Sequence, residues 1–212
     1  MAQFLVVLDV DSTLIENEVI ELLAARAGAE SEVTEITTRA MNGELDFEQS
    51  LRARVATLAG LKESVIDDCS RDIRLTAGAQ ELIRGVKDAG GRVAAVSGGF
   101  HELLDPIAET LGLDYARANR LEVVDGALTG AVLGPVIDAQ AKADSLLEWS
   151  ADAGIPLACT VAVGDGANDL RMMETAALSV GITAKPIVRA KADVHIDVRD
   201  LSSILALLGL RG

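Results

Sequence analysis

The sequence predicts an α/β fold, a Rossmann-like parallel sheet core with a small helical cap domain inserted after the first strand. Three observations carry this. Short continuous apolar runs alternate with longer helical patterns, which is the signature of a parallel sheet covered on both faces. Polar clusters stand directly after three of those runs. One long stretch, residues 14–74, has helical spacing and no strand.

Taken in order, "FLVVL" (Phe4 to Leu8) is the first strand and runs out at Asp9 and Asp11. Residues 14–74 follow, with pauses at Gly28, Gly43 and Gly60; the segment is too long for a plain crossover and is assigned to the cap. The core then takes residues 1–13 and 75–212. "AQELIRGVKDAGG" reads as a helix stopped by Gly90 and Gly91, and "RVAAV" as a strand ending at Ser97. "ELLDPIAETLG" is a further helix. From Arg120 to Ile137, β-branched runs around Asp125-Gly126 predict a small hairpin. "AKADSLLEWSADAG" is helical, "TVAV" is a strand ending at Gly164 and Asp165, and "ALSVGI" and "VHI" complete the sheet.

A length of 212 residues fits one domain with a smaller insert, and 50% hydrophobic residues supply a substantial core. A net charge of −14 argues against a nucleic-acid backbone or an anionic membrane as partner, and 2% aromatics argue against base stacking. Cys69 and Cys159 lie far apart and outside any C-x-x-C, so a disulfide framework or zinc site is not expected. With no signal-like leader and no apolar run of spanning length, a soluble cytoplasmic protein is expected.

In an open parallel sheet, ligands bind beyond the carboxyl ends of the strands. Asp9, Asp11 and Thr13 stand at the first end, and strand alternation allows Asp9 and Asp11 to face one small volume. "SGGF" (Ser97 to Phe100) stands at the second, where a hydroxyl beside glycines entering a helix can present backbone amides to an anion. "GDGANDL" brings Asp165 and Asp169 to the third. Carboxylates converging in this way repel one another, and a hard dication resolves the conflict; Mg²⁺ suits one or two carboxylates plus a substrate phosphate. The SGG amides and Lys142 would hold the remaining phosphate oxygens. Each motif alone has a structural explanation: acids cap helices, S-G-G makes a turn, and a helical lysine is solvated. Their shared position at strand ends favours function.

"DVDST", "SGG", Lys142 and "GDGAND" together resemble, in order and across the whole chain, the four motifs of the haloacid-dehalogenase superfamily of phosphatases. "DVDSTLIENEVIE", "AMNGELDFEQSLRARV", "ANRLEVVDGALTG" and "VGDGANDLRMM" are similar, more narrowly, to its phosphoserine-hydrolysing branch. The given sequence starts close to the first strand, whereas some members carry a regulatory N-terminal extension ahead of it. The resemblance implies Mg²⁺-dependent hydrolysis of phosphoserine through an aspartyl-phosphate. Asp9 is then the nucleophile and Asp11 the general acid and base. The Asp9 side chain, the Asp11 carbonyl and the Asp165 side chain bind the metal, with Asp169 orienting the site from behind. Ser97, Gly98 and Lys142 bind phosphoryl oxygens, and Asn168 reaches the substrate or a phosphate oxygen.

Recognition of the serine part needs an anion and a cation. On the helix "FEQSLRARVATL", Phe47, Leu51, Val55 and Leu58 fall within an arc of roughly 80°, with Arg54 at about −20° and Arg52 near 140°. An arginine beside a buried stripe calls for an anion, so Arg54 is the expected carboxylate binder, as the resemblance also implies. Glu18 is assigned to the ammonium by resemblance alone; on a helical wheel it sits at the edge of the stripe Ile15, Val19, Leu22 and Leu23, where a solvated glutamate fits equally. Met41 and Phe47 serve equally as apolar walls of the site or as packing within the cap. Two further readings compete. A superfamily phosphatase or phosphotransferase acting on another small phosphate ester would not need both Glu18 and Arg54. A signalling receiver module shares the acids and lysine, but the helical insert and the early nucleophile argue against it.

Overall fold

The computed structural model describes residues 4–210. β1 (Leu5–Leu8) is buried along its whole length and lies at the centre of a seven-stranded sheet. Four helices follow without an intervening strand: α1 (Val19–Ala27), α2 (Glu30–Met41), α3 (Phe47–Ala56) and α4 (Ser64–Asp72). Then come α5 (Ala79–Asp88), β2 (Arg92–Phe100), α6 (His101–Leu111), β3 (Tyr115–Val124), β4 (Ala127–Leu133) and α7 (Ala139–Asp152). The chain closes with β5 (Thr160–Gly164), α8 (Leu170–Thr175), β6 (Leu178–Ile182), α9 (Pro186–Arg189), β7 (Val194–Ile196) and α10 (Ser203–Leu207).

The sheet order is β4-β3-β2-β1-β5-β6-β7, with every pairing parallel except β3–β4. The expected α/β class is what the chain adopts. β1 pairs with β2 on one side and β5 on the other, so connections leave it in both directions and a crevice opens at its carboxyl end. Side-chain alternation divides the core between two faces. Val6 and Leu8 join the cluster beneath α5, α6 and the four-helix segment, while Leu5 and Val7 join that beneath α7 and α8. Asp9 continues the parity of Leu5 and Val7, which aims it at α7.

Local chemistry fixes the helices that matter for the site. Asp46 and Gln49 form a reciprocal capping box at the start of α3, at 2.8 and 3.1 Å. The Asp138 carboxylate accepts from Ala141 N at 2.8 Å and starts α7. The β3–β4 turn places Asp125 and Gly126 at φ 51° and 74°, the two left-handed residues a tight hairpin demands.

Besides packing on the core, the four-helix segment is joined to the rest of the chain by backbone hydrogen bonds at two places. Its entry and exit run side by side: Ile15 bridges Leu75, Glu16 N donates to Arg74 O at 2.8 Å, and Arg74 N donates to the Asn17 side chain at 2.8 Å. Its second attachment is to the hairpin. Gly60 N donates to Leu128 O and Leu128 N to Leu61 O, both at 2.8 Å, and Glu63 N donates to Gly126 O at 2.9 Å. A side chain at Gly130 would meet Ala59 Cβ at 3.0 Å, so the hairpin and the end of α3 lie in close contact.

Three expectations change. The strand expected to end before Ser97 continues through Phe100, because Ser97–Gly99 form a bulge rather than a loop. The expected hairpin begins earlier, at Tyr115, where Arg117 and Asn119 interrupt the apolar pattern of a strand that nonetheless pairs with β2. Residues Ile15 to Glu18 lie outside any helix, so Glu18 is not on a helical stripe but stands immediately before α1. The outermost residues of the expected core, 1–3 and 211–212, lie outside the described residues. Among the described residues, no helix is long and apolar enough to cross a membrane.

Candidate active site

A cavity of about 580 Å³ opens between the carboxyl ends of the strands and the four-helix segment. Asp9, Asp11, Gly98, Asp165 and Asn168 line it from the sheet side, and Glu18, Met41, Phe47 and Arg54 from the helical side. Ser97, Lys142 and Asp169 are buried directly behind this lining and hydrogen-bonded to it. The residues given a role at the site from the sequence therefore lie in or directly behind one cavity.

The arrangement of the two leading acids differs from simple strand alternation. Asp9 N extends the ladder by donating to Val163 O at 2.8 Å, but from Val10 to Leu14 the chain leaves the strand in an irregular turn with Asp11 and Ser12 in non-helical conformations. Ser12 takes the left-handed conformation at φ 57°. The loop, not the pleat, brings Asp11 back to the cavity. There its Oδ1 accepts from Val19 N at 2.7 Å and its Oδ2 accepts from Ser97 Oγ at 3.0 Å. Burial raises the Asp11 pKa to about 6; Glu18 adds to the shift, and the bonds from Val19 and Ser97 oppose it.

Lys142 is fully buried and donates both to Asp9 Oδ1 and, at 2.8 Å, to Asp169 Oδ1. Burial works to lower its pKa, but Asp169 and Asp9 outweigh this and hold it above the ordinary lysine range. For Asp9, burial and then the neighbouring Asp169 raise the pKa well above the usual carboxylate value, against the opposing pull of Lys142. One lysine thus serves two buried acids, a geometry that leaves negative charge uncompensated.

Asp9, Asp165 and Asp169 each place a carboxylate oxygen within 4.8 Å of the others. Both Asp169 oxygens are already engaged: Oδ1 by Lys142, Oδ2 by the Asp165 and Gly166 amides at 3.2 and 3.0 Å. Asp9 and Asp165 each have one oxygen taken, by Lys142 and by Lys185 respectively, and one remaining. The buried acid cluster therefore fits a small oxygen-seeking metal ion, with Asp9 and Asp165 facing it and Asp169 bracing from behind.

On the helical side, Arg54 Nε donates to Ser50 O at 3.3 Å, and among the described residues Arg54 has no ion-pair partner. Burial lowers its pKa, opposed by the nearby Glu18, Asp11 and Glu21. Arg52 is exposed on the opposite face and pairs with Glu48 at 2.7 Å. The Glu18 carboxylate accepts from Ser12 Oγ at 2.7 Å. Phe47 leans onto the bulge, where a side chain at Gly98 would strike its ring at 2.9 Å. Met41 is 83% exposed at the cavity rim, which excludes packing inside the helical segment.

Two residues at the site, Lys185 and Ser12, escape the sequence reading. Lys185, whose Nζ lies 3.2 Å from Asp165 Oδ2, follows "LSVGI" and so stands at a fourth strand end, the signal that would have found it. Gly99 is tightly enclosed: a side chain there would meet Val19 Cγ2 at 2.7 Å and Asp11 Oδ2 at 2.9 Å. Ser12 gave no signal beyond its place between two recognised positions.

The chain belongs to the haloacid dehalogenase-like hydrolase family, whose model matches residues 6–174. Within that family it stands with the phosphoserine phosphatases. It is 56% identical over 209 residues to the phosphoserine phosphatase of Streptomyces coelicolor, covering 99% of this chain and 51% of that one. It is 48% identical over 204 residues to that of Streptococcus thermophilus, covering 96% of this chain and 95% of that one. The chain thus spans about half the length of the Streptomyces relative and nearly all of the Streptococcus one. A solved phospho-aspartyl intermediate analogue of phosphoserine phosphatase, 48% identical, superposes with a TM-score of 0.92 over 98% of this chain and 99% of that one.

Proposed function

We propose that the chain is a Mg²⁺-dependent phosphoserine phosphatase, hydrolysing O-phosphoserine to serine and phosphate, the reaction that ends serine biosynthesis. The observation that supports this best is a single cavity with Asp9 and Asp11 on one side and, on the other, the guanidinium of Arg54, which has no ion-pair partner among the described residues. An Asp pair beside a buried lysine is suited to a phosphoryl group, and a cation opposite is suited to a second anionic group. Residues 14–74 act as the cap that encloses the substrate.

Mg²⁺ would be held by the Asp9 and Asp165 carboxylates and the Asp11 carbonyl, where it would neutralise the acids and take up phosphoryl charge. A carboxylate oxygen of Asp9 attacks phosphorus as the bond from phosphorus to the serine oxygen breaks. Asp11 delivers a proton to that departing oxygen. Asp11, now ionised, takes a proton from the water that attacks the aspartyl-phosphate, and phosphate leaves. Ser97, the Gly98 amide, Asn168 and Lys142 bind phosphoryl oxygens. Arg54 binds the substrate carboxylate, Glu18 its ammonium, and Met41 and Phe47 exclude water.

Phosphate release from phosphoserine, phosphothreonine and a sugar phosphate, each with and without Mg²⁺, tests the proposal. Phosphoserine is expected to turn over fastest and only with the metal. Equal rates on the sugar phosphate would remove the specific substrate, and metal-independent turnover would remove the ion.

The raised pKa of Asp11 gives a pH signature. Leaving-group protonation needs the acid form, whose fraction falls about tenfold per pH unit above the pKa. With that pKa near 6, single-turnover formation of the aspartyl-phosphate from phosphoserine should slow between pH 7 and pH 9. An aryl phosphate, whose leaving group needs no proton, should show a flat profile over the same range. Parallel profiles for the two substrates would deny Asp11 its role as acid.

A further inference from the structure

The bulge that carries Ser97 and Gly98 is gripped from behind by a residue outside the cavity. Val96 of β2 pairs with Arg117 of β3, and the next pairing is Phe100 with Asn119, so four steps along β2 match two along β3. The extra residues Ser97 to Gly99 leave the ladder, and bulges beside sites re-aim the groups they carry. The Asn119 side chain crosses the gap. Its Nδ2 donates to Gly98 O at 2.8 Å, and its Oδ1 accepts from Ile137 N at 2.8 Å. Asn119 is 1% exposed and does not line the cavity.

These two bonds reach both halves of the phosphate-binding set. Gly98 O and Gly99 N–H belong to one trans peptide and point in opposite directions, so fixing the carbonyl aims the amide. That amide donates to Ser97 Oγ at 2.7 Å, which leaves the Ser97 proton directed at Asp11 Oδ2, 3.0 Å away. The second bond fixes Ile137, which immediately precedes the Asp138 cap of α7, the helix that carries Lys142. Neither the bulge nor the start of α7 has another side chain in common with the other among these contacts.

We propose that Asn119 is a positioning residue for phosphoryl binding, holding the Ser97–Gly99 bulge and the start of α7 in register. The inference rests on the phosphatase reading of the cavity, though not on serine as the leaving group. The alternative of simple scaffolding predicts a different kinetic pattern. A scaffold defect lowers the amount of folded enzyme, and so kcat, with KM unchanged. A positioning defect weakens phosphate binding in molecules that are folded.

The test uses Asn119→Ala and Asn119→Asp, with Mg²⁺ present, an aryl phosphate as substrate and inorganic phosphate as the binding probe in calorimetry. Asn119→Asp keeps the acceptor for Ile137 N but sets a carboxylate oxygen against Gly98 O. Both folded variants should raise the phosphate Kd and the aryl phosphate KM by about tenfold or more, as loss of a buried hydrogen bond commonly does. In a Ser97→Ala background most of this effect should vanish, because the relay has lost its end. Wild-type phosphate affinity in either folded variant, an unchanged KM with lowered kcat, full additivity with Ser97→Ala, or failure of both variants to fold would each overturn the assignment. Wild-type enzyme that hydrolyses the aryl phosphate but not phosphoserine would instead remove the substrate proposal and leave Asn119 standing.

Discussion

On the proposed mechanism, Asp9→Asn is expected to lower steady-state phosphoserine turnover by roughly 10⁴-fold or more, because it removes the nucleophile and with it the whole two-step route. The amide is nearly isosteric and reaches the same Lys142 Nζ, but its oxygen is a poor nucleophile. The fold should not suffer. Burial and Asp169 raise the Asp9 pKa, so the ionised form is the one the fold disfavours. Its contribution to stability is fully present below the ordinary carboxylate pKa and is lost as pH rises from there through the raised folded value. Replacing it with a neutral group removes that cost at neutral pH, so the Tm of the metal-free variant should equal or exceed that of the wild type. Substantial turnover, in protein shown by mass to be free of deamidation, would take Asp9 out of its role. A lowered Tm would show that the pairing with Lys142 outweighs the repulsion from Asp169.

Arg54→Ala should reduce kcat/KM for phosphoserine by roughly 30-fold to several thousand-fold, the range that follows from truncating one partner of a desolvated charge pair at about 2–5 kcal/mol. The guanidinium lies on the cavity wall, its pKa lowered by burial, with a single long bond to Ser50 O. An aryl phosphate carries no carboxylate and should lose far less. Arg52→Ala is the control, since Arg52 is exposed on the other face and engaged only with Glu48. The diagnostic is the ratio of the two activities, which a general folding defect leaves alone. An unchanged ratio in Arg54→Ala, or a larger change in Arg52→Ala, would show that Arg54 does not read the serine carboxylate.

The fold class was legible because a parallel sheet buries its strands on both faces and so writes them as unbroken apolar runs, as in "FLVVL" and "TVAV". β3 was only half legible: Arg117 and Asn119 break its pattern, and Asn119 is there for two specific hydrogen bonds rather than for apolar burial. The helical wheel of α3 set Arg54 on the cavity side and Arg52 away from it, because that segment is a regular helix. The same wheel misled at Glu18, where the chain is extended rather than helical. Strand alternation gave Asp9 its direction toward α7, but Asp11 reaches the cavity through a turn containing a left-handed Ser12, which no periodicity describes. Lys185 carried a strand-end signal after "LSVGI", but its pairing with Asp165, twenty residues earlier, is made by the assembled sheet.

The backbone bonds that join Gly60, Leu61 and Glu63 to the β3–β4 hairpin alter the mechanics of the enclosure over the cavity. With the bridge at Ile15 and Leu75 as the other attachment, the segment is a beam resting on two supports, not a flap swinging on one hinge. A beam bends most between its supports and least above them. Arg54, close to the hairpin support, would accordingly change its distance from the sheet least. The compliant span runs through α2 and the exposed turn that follows it, with Met41 at its apex. On the proposed function, such a frame would keep the charge opposite the acids in place while small molecules enter and leave past the apolar end.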